Sequence, residues 1–389
     1  MNTMRVYLIG LVCWAAGSAW LAAADDSTVA SKPKSTLVKM DDATFQNWLE
    51  HWDKNITNDA RNRYCDRELG EEIGWLISPF LDSFYYGYLA TDDAKWVERL
   101  ADWADAWIKR GVQEPDGYVG WPKPKAAGTL VDQLDDYNAD SLLGEAMALR
   151  PVVLMSGEIL KSPALKAKYG SQAQSYLRLA EQVYEKWEQR GAWRETKDGG
   201  IISAVLPFGI DTQTGKWTSG YETRNATGNG FSHPNNKANH VARWLLVMSD
   251  VTGKAVYRER AEKWFQVMKS RMKLKPNGTF EIWNYWQPAG AWDYKPDGSP
   301  KHWVGVHPNP GYYQIDVTGI VDAYRHGLVF TSADIEHLIA TALAEKRYWD
   351  ALAPFSPAIQ REFEGAHKPD GWGGLSTTPW YLMLQAQLR

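Results

Sequence analysis

The chain has little cysteine, with Cys13 and Cys65 the only two in 389 residues. That excludes a disulfide framework and a cysteine-based zinc ribbon. It also lacks an excess of positive charge. Lys and Arg total 43 against 47 Asp and Glu, a net charge of −4 at pH 7, which is the wrong sign for a protein that grips nucleic acid by its phosphates. There is no glycine-rich phosphate loop and no serine-centred nucleophile elbow. The spacing His302-x4-His307 comes nearest to a metal motif, but no acidic residue is spaced to complete it, so neither metal nor cofactor is expected. With 44% hydrophobic and 23% charged residues the composition is globular, which excludes a disordered tail, a collagen-like repeat and a multispanning membrane protein.

Long apolar runs are scarce too: the one that stands out is Val6–Ala24. It follows a short basic start ending at Arg5, is diluted by Gly and Ala, and ends Ala22-Ala23-Ala24 before Asp25-Asp26. This is the pattern of a secretory signal peptide (residues 1–24), the alternative being a membrane anchor of the same length. Cleavage there predicts a periplasmic or secreted protein of 365 residues and charge −5, with no membrane attachment. Cys65 would then be a lone, buried thiol. Residues 25–40 are expected to be a flexible lead-in, and 41–389 a single domain.

What the chain has in quantity is aromatic residues, with 21 Trp, 19 Tyr and 10 Phe. Many fall on a repeated ladder. Trp96, Leu100, Trp103 and Trp107 share the spacing 0, 4, 7, 11 with Tyr176, Ala180, Val183 and Trp187, and with Tyr257, Ala261, Trp264 and Met268. This spacing is one face of a helix. The ladders begin 80 and 81 residues apart, and Leu338, Ala342 and Trp349 form a degenerate fourth. Each full ladder carries an Arg three residues on: Arg110, Arg190 and Arg271. Such a period signals stacked helical hairpins. Each ladder helix is preceded by a more apolar one, over 72–90, 137–160, 236–249 and 312–325, which predicts an inner ring and an outer ring. The predicted fold is all-α: an α/α toroid of inner and outer helices, with an open solenoid as the alternative. Outer helix 41–52 and the apolar 378–388 would close the ring. Long loops at 191–231 and 275–311 are expected at one mouth, the second holding a strand over 279–286 between two tight turns.

The ladder aromatics belong to the core. The loop aromatics Tyr118, Trp121, Trp193, Trp217, Tyr221, Trp283, Tyr285, Trp286, Trp292, Trp303 and Trp372 are candidates to stack on sugar faces. The densest polar cluster is Phe231–Trp244. In it Asn236, His240 and Arg243 share a helical face, with Asn235 and Asn239 on the adjacent stripe. A second helix starts alike, from His307-Pro308-Asn309 to Tyr312-Tyr313. N-capping by the asparagines and packing by His240 or one tyrosine are the structural alternatives. Asn, His, Tyr and Arg together suit β-elimination from a uronic acid: donors neutralise the carboxylate, a base takes the C5 proton, and an acid protonates the leaving oxygen. Lys237, Arg224, Arg243, Lys301 and the nearby histidines would make the mouth locally basic.

The run Ala238–Leu245 is similar to the Asn-His helix of α/α-toroid alginate lyases. The Thr252-Gly253 turn, Asn277-Gly278-Thr279 and the Gly311-Tyr312-Tyr313 helix start follow in that family's order. The resemblance covers residues 231–324. It implies a polysaccharide lyase acting on alginate or glucuronan, with Asn239 neutralising the carboxylate, His240 as base or neutraliser, and Tyr312 as acid or as both acid and base. Asn235, Asn236, Arg243, His307, Tyr313, Arg224 and Trp286 would line the substrate. The chain departs from the family in having Ala238-Asn239 for a double Asn, and His307 where an Arg is usual. A monomer acting on a polyuronate is expected. Two other readings remain open. A toroid hydrolase, on a polysaccharide or on unsaturated uronyl oligosaccharides, would draw carboxylates from Asp135, Asp136, Asp140, Glu281 and Asp316. A non-catalytic glycan-binding protein would use only the aromatic mouth.

Overall fold

A computed structural model describes residues 35–124, 137–211, 213–219, 230–347, 349–366 and 374–389. The expected signal peptide, most of the lead-in, Asp135, Asp136, Tyr221, Arg224 and Trp372 lie outside them.

The described helices are α1 (Asp42–Asp59), α2 (Ser78–Thr91), α3 (Lys95–Ile108), α4 (Leu142–Lys161), α5 (Pro163–Gln189), α6 (Asn235–Thr252), α7 (Ala255–Ser270), α8 (Gly311–Arg325), α9 (Ser332–Ala344), α10 (Pro357–Ala366) and α11 (Gly374–Ala386). Their starts are set locally. Asp41 caps α1 by accepting from the Thr44 amide, Ser141 and Ser162 cap α4 and α5, and Thr331 with Asp334 forms a capping box on α9. Gly253, at φ 72°, ends α6 in the left-handed conformation that a side chain would resist.

The helices form an α/α toroid. α2 packs on α4, α4 on α6 and α6 on α8; the ring continues through a 3₁₀ turn at Asp350–Phe355 and α10, and α11 packs back onto α2. Phe363 of α10 meets Tyr381 of α11 at 4.7 Å. α3, α5 and α7 each cover the inner helix before them, and α1 covers α11. All residues of the four ladders are buried, and they glue the outer ring to the inner one. The recurring arginine also has one job. Arg110 donates to the carbonyls of Cys65, Arg67 and Glu68, Arg190 to Glu114 and Asp116 beside Asp140, and Arg271 to Asn235 and the Gln287 carbonyl. In each hairpin it ties down the chain just ahead of the inner helix.

Two prolines help close the ring. Pro151 in α4 and Pro379 in α11 have no N–H, so the carbonyls four residues back, Met147 and Leu375, lose their helical donors. Both carbonyls are taken by serines of α2: Ser78 Oγ donates to Met147 at 2.9 Å, and Ser83 Oγ donates to Leu375, which Trp52 Nε1 also reaches. The backbone defects thus become ties between neighbouring inner helices.

The strands are short and antiparallel. β1 (Val112–Gln113) pairs with β2 (Val119–Gly120). β3 (Lys123–Pro124), β4 (Tyr137–Ala139), β7 (Phe208–Asp211) and β8 (Trp217–Ser219) form one sheet in the order β3-β4-β7-β8, and β5 (Trp193–Thr196) pairs with β6 (Gly199–Ile202). Two expectations are corrected here. Residues 137–139 are strand, so the inner helix begins only at Leu142. Residues 279–286 form no strand. Beyond a single bridge from Leu274 to Phe280 they run extended and unpaired, because Phe280, Trp283, Tyr285 and Trp286 turn inward and pack rather than pairing edge to edge. No described helix is long and apolar enough to cross a membrane.

Candidate active site

The N-terminal ends of α2, α6 and α8 converge on one mouth of the ring. Just ahead of α2, a π-helical stretch at Ile73–Ile77 carries Trp75, and Glu71 precedes it. Glu71 Oε1 accepts from Trp75 Nε1 at 2.9 Å and from Lys237 Nζ of α6 at 2.8 Å. Trp75 meets the His240 ring edge-on at 5.6 Å. From the third side, Tyr312 at the start of α8 stacks on Tyr285 at 5.3 Å, and His307 lies against both, at 4.6 and 4.9 Å. The Tyr312 hydroxyl has no partner among the described residues. Trp303 stands 49% exposed at the rim, 6.2 Å from His307.

Deeper along the inner ring, four successive inner helices each contribute one charge. Asp82 of α2 accepts from Arg150 of α4 at 2.6 Å, and Asp322 of α8 accepts from Arg243 of α6 at 2.6 Å. Above this belt the histidines are neutral. Burial, together with the charges of Arg243 and Arg150, holds His240 well below the ordinary imidazole value. Burial and the Lys237 charge bring His233 down to about 3, and burial, Lys237 and His307 lower His302. His302 Nδ1 accepts from the Trp303 amide and His307 Nδ1 from the Asn309 amide, so each neutral ring carries its proton on Nε2.

Of the residues expected at the site, Asn236, His240, Arg243, His307 and Tyr312 belong to this mouth and belt. Asn235, Asn239, Tyr313 and Trp286 are packing residues instead. Asn239 is fully buried: its Oδ1 accepts from Trp264 Nε1 of α7 at 2.8 Å and its Nδ2 donates to Asp316 Oδ1 at 2.7 Å. Asp316 Oδ2 accepts in turn from Trp283 Nε1 at 2.8 Å. A tryptophan N–H, which can only donate, sits at each end of this relay and fixes its direction. A Cβ on Gly319 would lie 3.0 Å from Asn239 Oδ1, so α8 approaches the relay closely. A group so enclosed does not meet a substrate carboxylate, which corrects the role expected of Asn239. Asn235 is held by Arg271 and the Asn284 carbonyl, the Tyr313 hydroxyl accepts from the His307 amide, and Trp286 is fully buried, donating to the Ser232 carbonyl. Trp121 and Trp283 are likewise core, not sugar platforms.

Among the expected hydrolase carboxylates, Asp316 is spent in the relay and Asp140 is tied at 2.5 Å to buried Lys186. Glu281 lies exposed in the extended segment. The carboxylate the sequence reading missed is Glu71. Its signal was positional: it precedes the first inner helix, as Asn235 and Asn236 open the third. Asp82, Arg150 and Asp322 were missed because each is a single charge within an apolar helix, meaningful only once four helices stand side by side. No described group of three or more His, Cys, Asp or Glu residues could hold a metal ion.

No protein-family profile and no curated protein matches the chain. Among solved structures it is similar to a cellobiose 2-epimerase from Bacillus thermoamylovorans, at 10% identity, covering 88% of this chain and 87% of that one with a TM-score of 0.49. It is also similar to a family 76 α-1,6-mannanase from a Salegentibacter species, at 12% identity over 88% and 99% of the two chains, with a TM-score of 0.47. A family 88 glycosyl hydrolase from Bacteroides vulgatus gives 8% identity over 89% and 99%, with a TM-score of 0.36. At these identities no residue role transfers to this chain.

Proposed function

We propose that this protein is a carbohydrate-active enzyme that hydrolyses glycosidic bonds at the mouth of the toroid, with Glu71 as one of its two carboxyl groups. The observation that carries this reading is the Glu71 carboxylate, oriented by Trp75 and Lys237 beside neutral His240. Glycoside hydrolysis needs one carboxyl group to protonate the leaving oxygen and another to activate water or attack the sugar. Glu71, next to the Lys237 ammonium, suits the second task. The first falls to Asp82, Asp322 or the Asp135-Asp136 pair ahead of α4. Trp75, Tyr285, Tyr312 and Trp303 offer flat faces to the sugar's C–H groups. The run Val6–Ala24 and its small-residue end support export, where polysaccharide substrates lie.

Polyuronate elimination is the second reading, and one observation favours it: the partner-free Tyr312 hydroxyl, which can move a proton. Against it, each of the cations Lys237, Arg150 and Arg243 already faces a carboxylate, so little positive charge is left to neutralise a uronate. The test is product analysis on neutral glycans and on polyuronates. New reducing ends without the ultraviolet absorbance of an unsaturated uronate support hydrolysis. A rise in that absorbance on a polyuronate replaces it with the lyase.

A further inference from the structure

The first turns of α6 hold a concentration of buried polar atoms that no protein group satisfies. They are both ring nitrogens of His233, Oδ1 of Asn236, Nε2 of His240 and Nε2 of His302. His233 and Asn236 are only 4% and 1% exposed. The other unsatisfied buried atoms among the described residues are single atoms on separate elements, chiefly tryptophan N–H groups in the helix ladders. An unmet buried polar group costs about 1–3 kcal/mol, so native structures hold few of them, and a cluster at a mouth has the marks of a site for a polar ligand. The four side chains belong together: the Lys237 ammonium lies close enough to both His233 and His302 to lower their basicity, and Asn236 and His240 share a helical face.

We propose that this cluster is a subsite for an uncharged pyranose, held through its hydroxyl groups; this rests on the reading of the mouth as a carbohydrate site. The argument is the mixture of donors and acceptors. A neutral imidazole offers one of each, and Asn236 Oδ1 only accepts. Sugar hydroxyls both donate and accept, so they complement such a set. A carboxylate only accepts, and would face the Asn236 oxygen and the acceptor nitrogens lone pair to lone pair. The neighbouring cation is already engaged, since Lys237 donates to Glu71. Trp75, edge-on to His240, supplies an indole for the sugar's apolar side.

The experiment is calorimetric titration of the full chain with neutral gluco-, manno- and galacto-oligosaccharides and with glucuronate and mannuronate oligomers of equal length. At least one neutral oligomer is expected to bind ten times more tightly than either uronate. Asn236→Leu, close in shape, removes the unsatisfied oxygen. It is expected to weaken that binding about tenfold while leaving the melting temperature unchanged or raised, since no protein partner is lost. His233→Phe should behave the same way. Uronates binding as tightly as the neutral sugars would overturn the proposal. So would Asn236→Leu lowering the melting temperature while keeping the affinity, because the oxygen would then serve the fold. The hydrolytic reading is judged separately, by products. Neutral sugar bound, and lost in Asn236→Leu, without any release of reducing ends keeps the subsite and removes the hydrolase. Reducing ends released from a neutral glycan by an Asn236→Leu enzyme with unaltered affinity do the reverse.

Discussion

Replacing Asn239 by Ala separates a structural asparagine from a catalytic one. The substitution removes the acceptor of Trp264 Nε1 and one of the two N–H donors to Asp316, both in a fully buried place. An orphaned indole N–H costs about 1–3 kcal/mol, and a hydrogen bond to a carboxylate contributes about 1.5–3 kcal/mol, so a loss of about 3–5 kcal/mol is expected near neutral pH. The loss should depend on pH. Burial lifts Asp316 from 3.8 to about 7, against the pull of the Trp283 and Asn239 donors and the Arg271 charge. Between those values the folded protein keeps a proton that the unfolded chain has released. The contribution of Asp316 is therefore full below 3.8 and declines as pH rises through 7. Without the Asn239 donor the folded value moves higher still, so the Asn239→Ala penalty should be larger at pH 8 than at pH 5. Urea unfolding followed by tryptophan fluorescence at the two pH values measures it. An unchanged midpoint at both, together with abolished turnover, would refute the relay and return Asn239 to the chemistry.

Lys186→Met should destabilise the protein by about 3–5 kcal/mol, because fully buried Lys186 serves Asp140 and Glu145 at 2.5 and 2.6 Å and its loss leaves their negative charge uncompensated; the urea midpoint checks this. Ser83→Ala should cost about 1–3 kcal/mol in the same assay by taking a donor from the Leu375 carbonyl that Pro379 has freed, whereas a serine on an ordinary helix carbonyl would cost little. Glu71→Gln should lower kcat by about 10²–10⁴ and also reduce stability, since Lys237 loses its counter-ion; adding Lys237→Met should restore the melting temperature but not the activity. Tyr312→Phe should leave stability unchanged and reduce kcat less than tenfold if the reaction is hydrolysis, whereas elimination through its hydroxyl would lose about 10²–10⁴.

The sequence by itself determined the periodic part of this protein. A ladder at 0, 4, 7, 11 can bury only one face of a helix, and its recurrence every 80 or 81 residues, with a more apolar partner each time, dictates paired helices. The positions of Asn236, His240 and Arg243 on one stripe also followed from helical geometry, because 3.6 residues per turn is a local property. Ring closure was not local. It depends on Ser78 and Ser83 meeting carbonyls that prolines in two other helices had released. The site was decided in the same way. Asn239 and Asn236 are three residues apart in one helix, yet one is enclosed by Trp264 and Asp316 while the other has an unsatisfied oxygen. Nothing in the sequence near them distinguishes the two. Glu71 gains its place only because Lys237, 166 residues away, reaches it. Local spacing settles which face of a helix a residue occupies. What that face meets is set by neighbours distant in the chain, and it is that environment which gives a polar group either a structural partner or a chemical task.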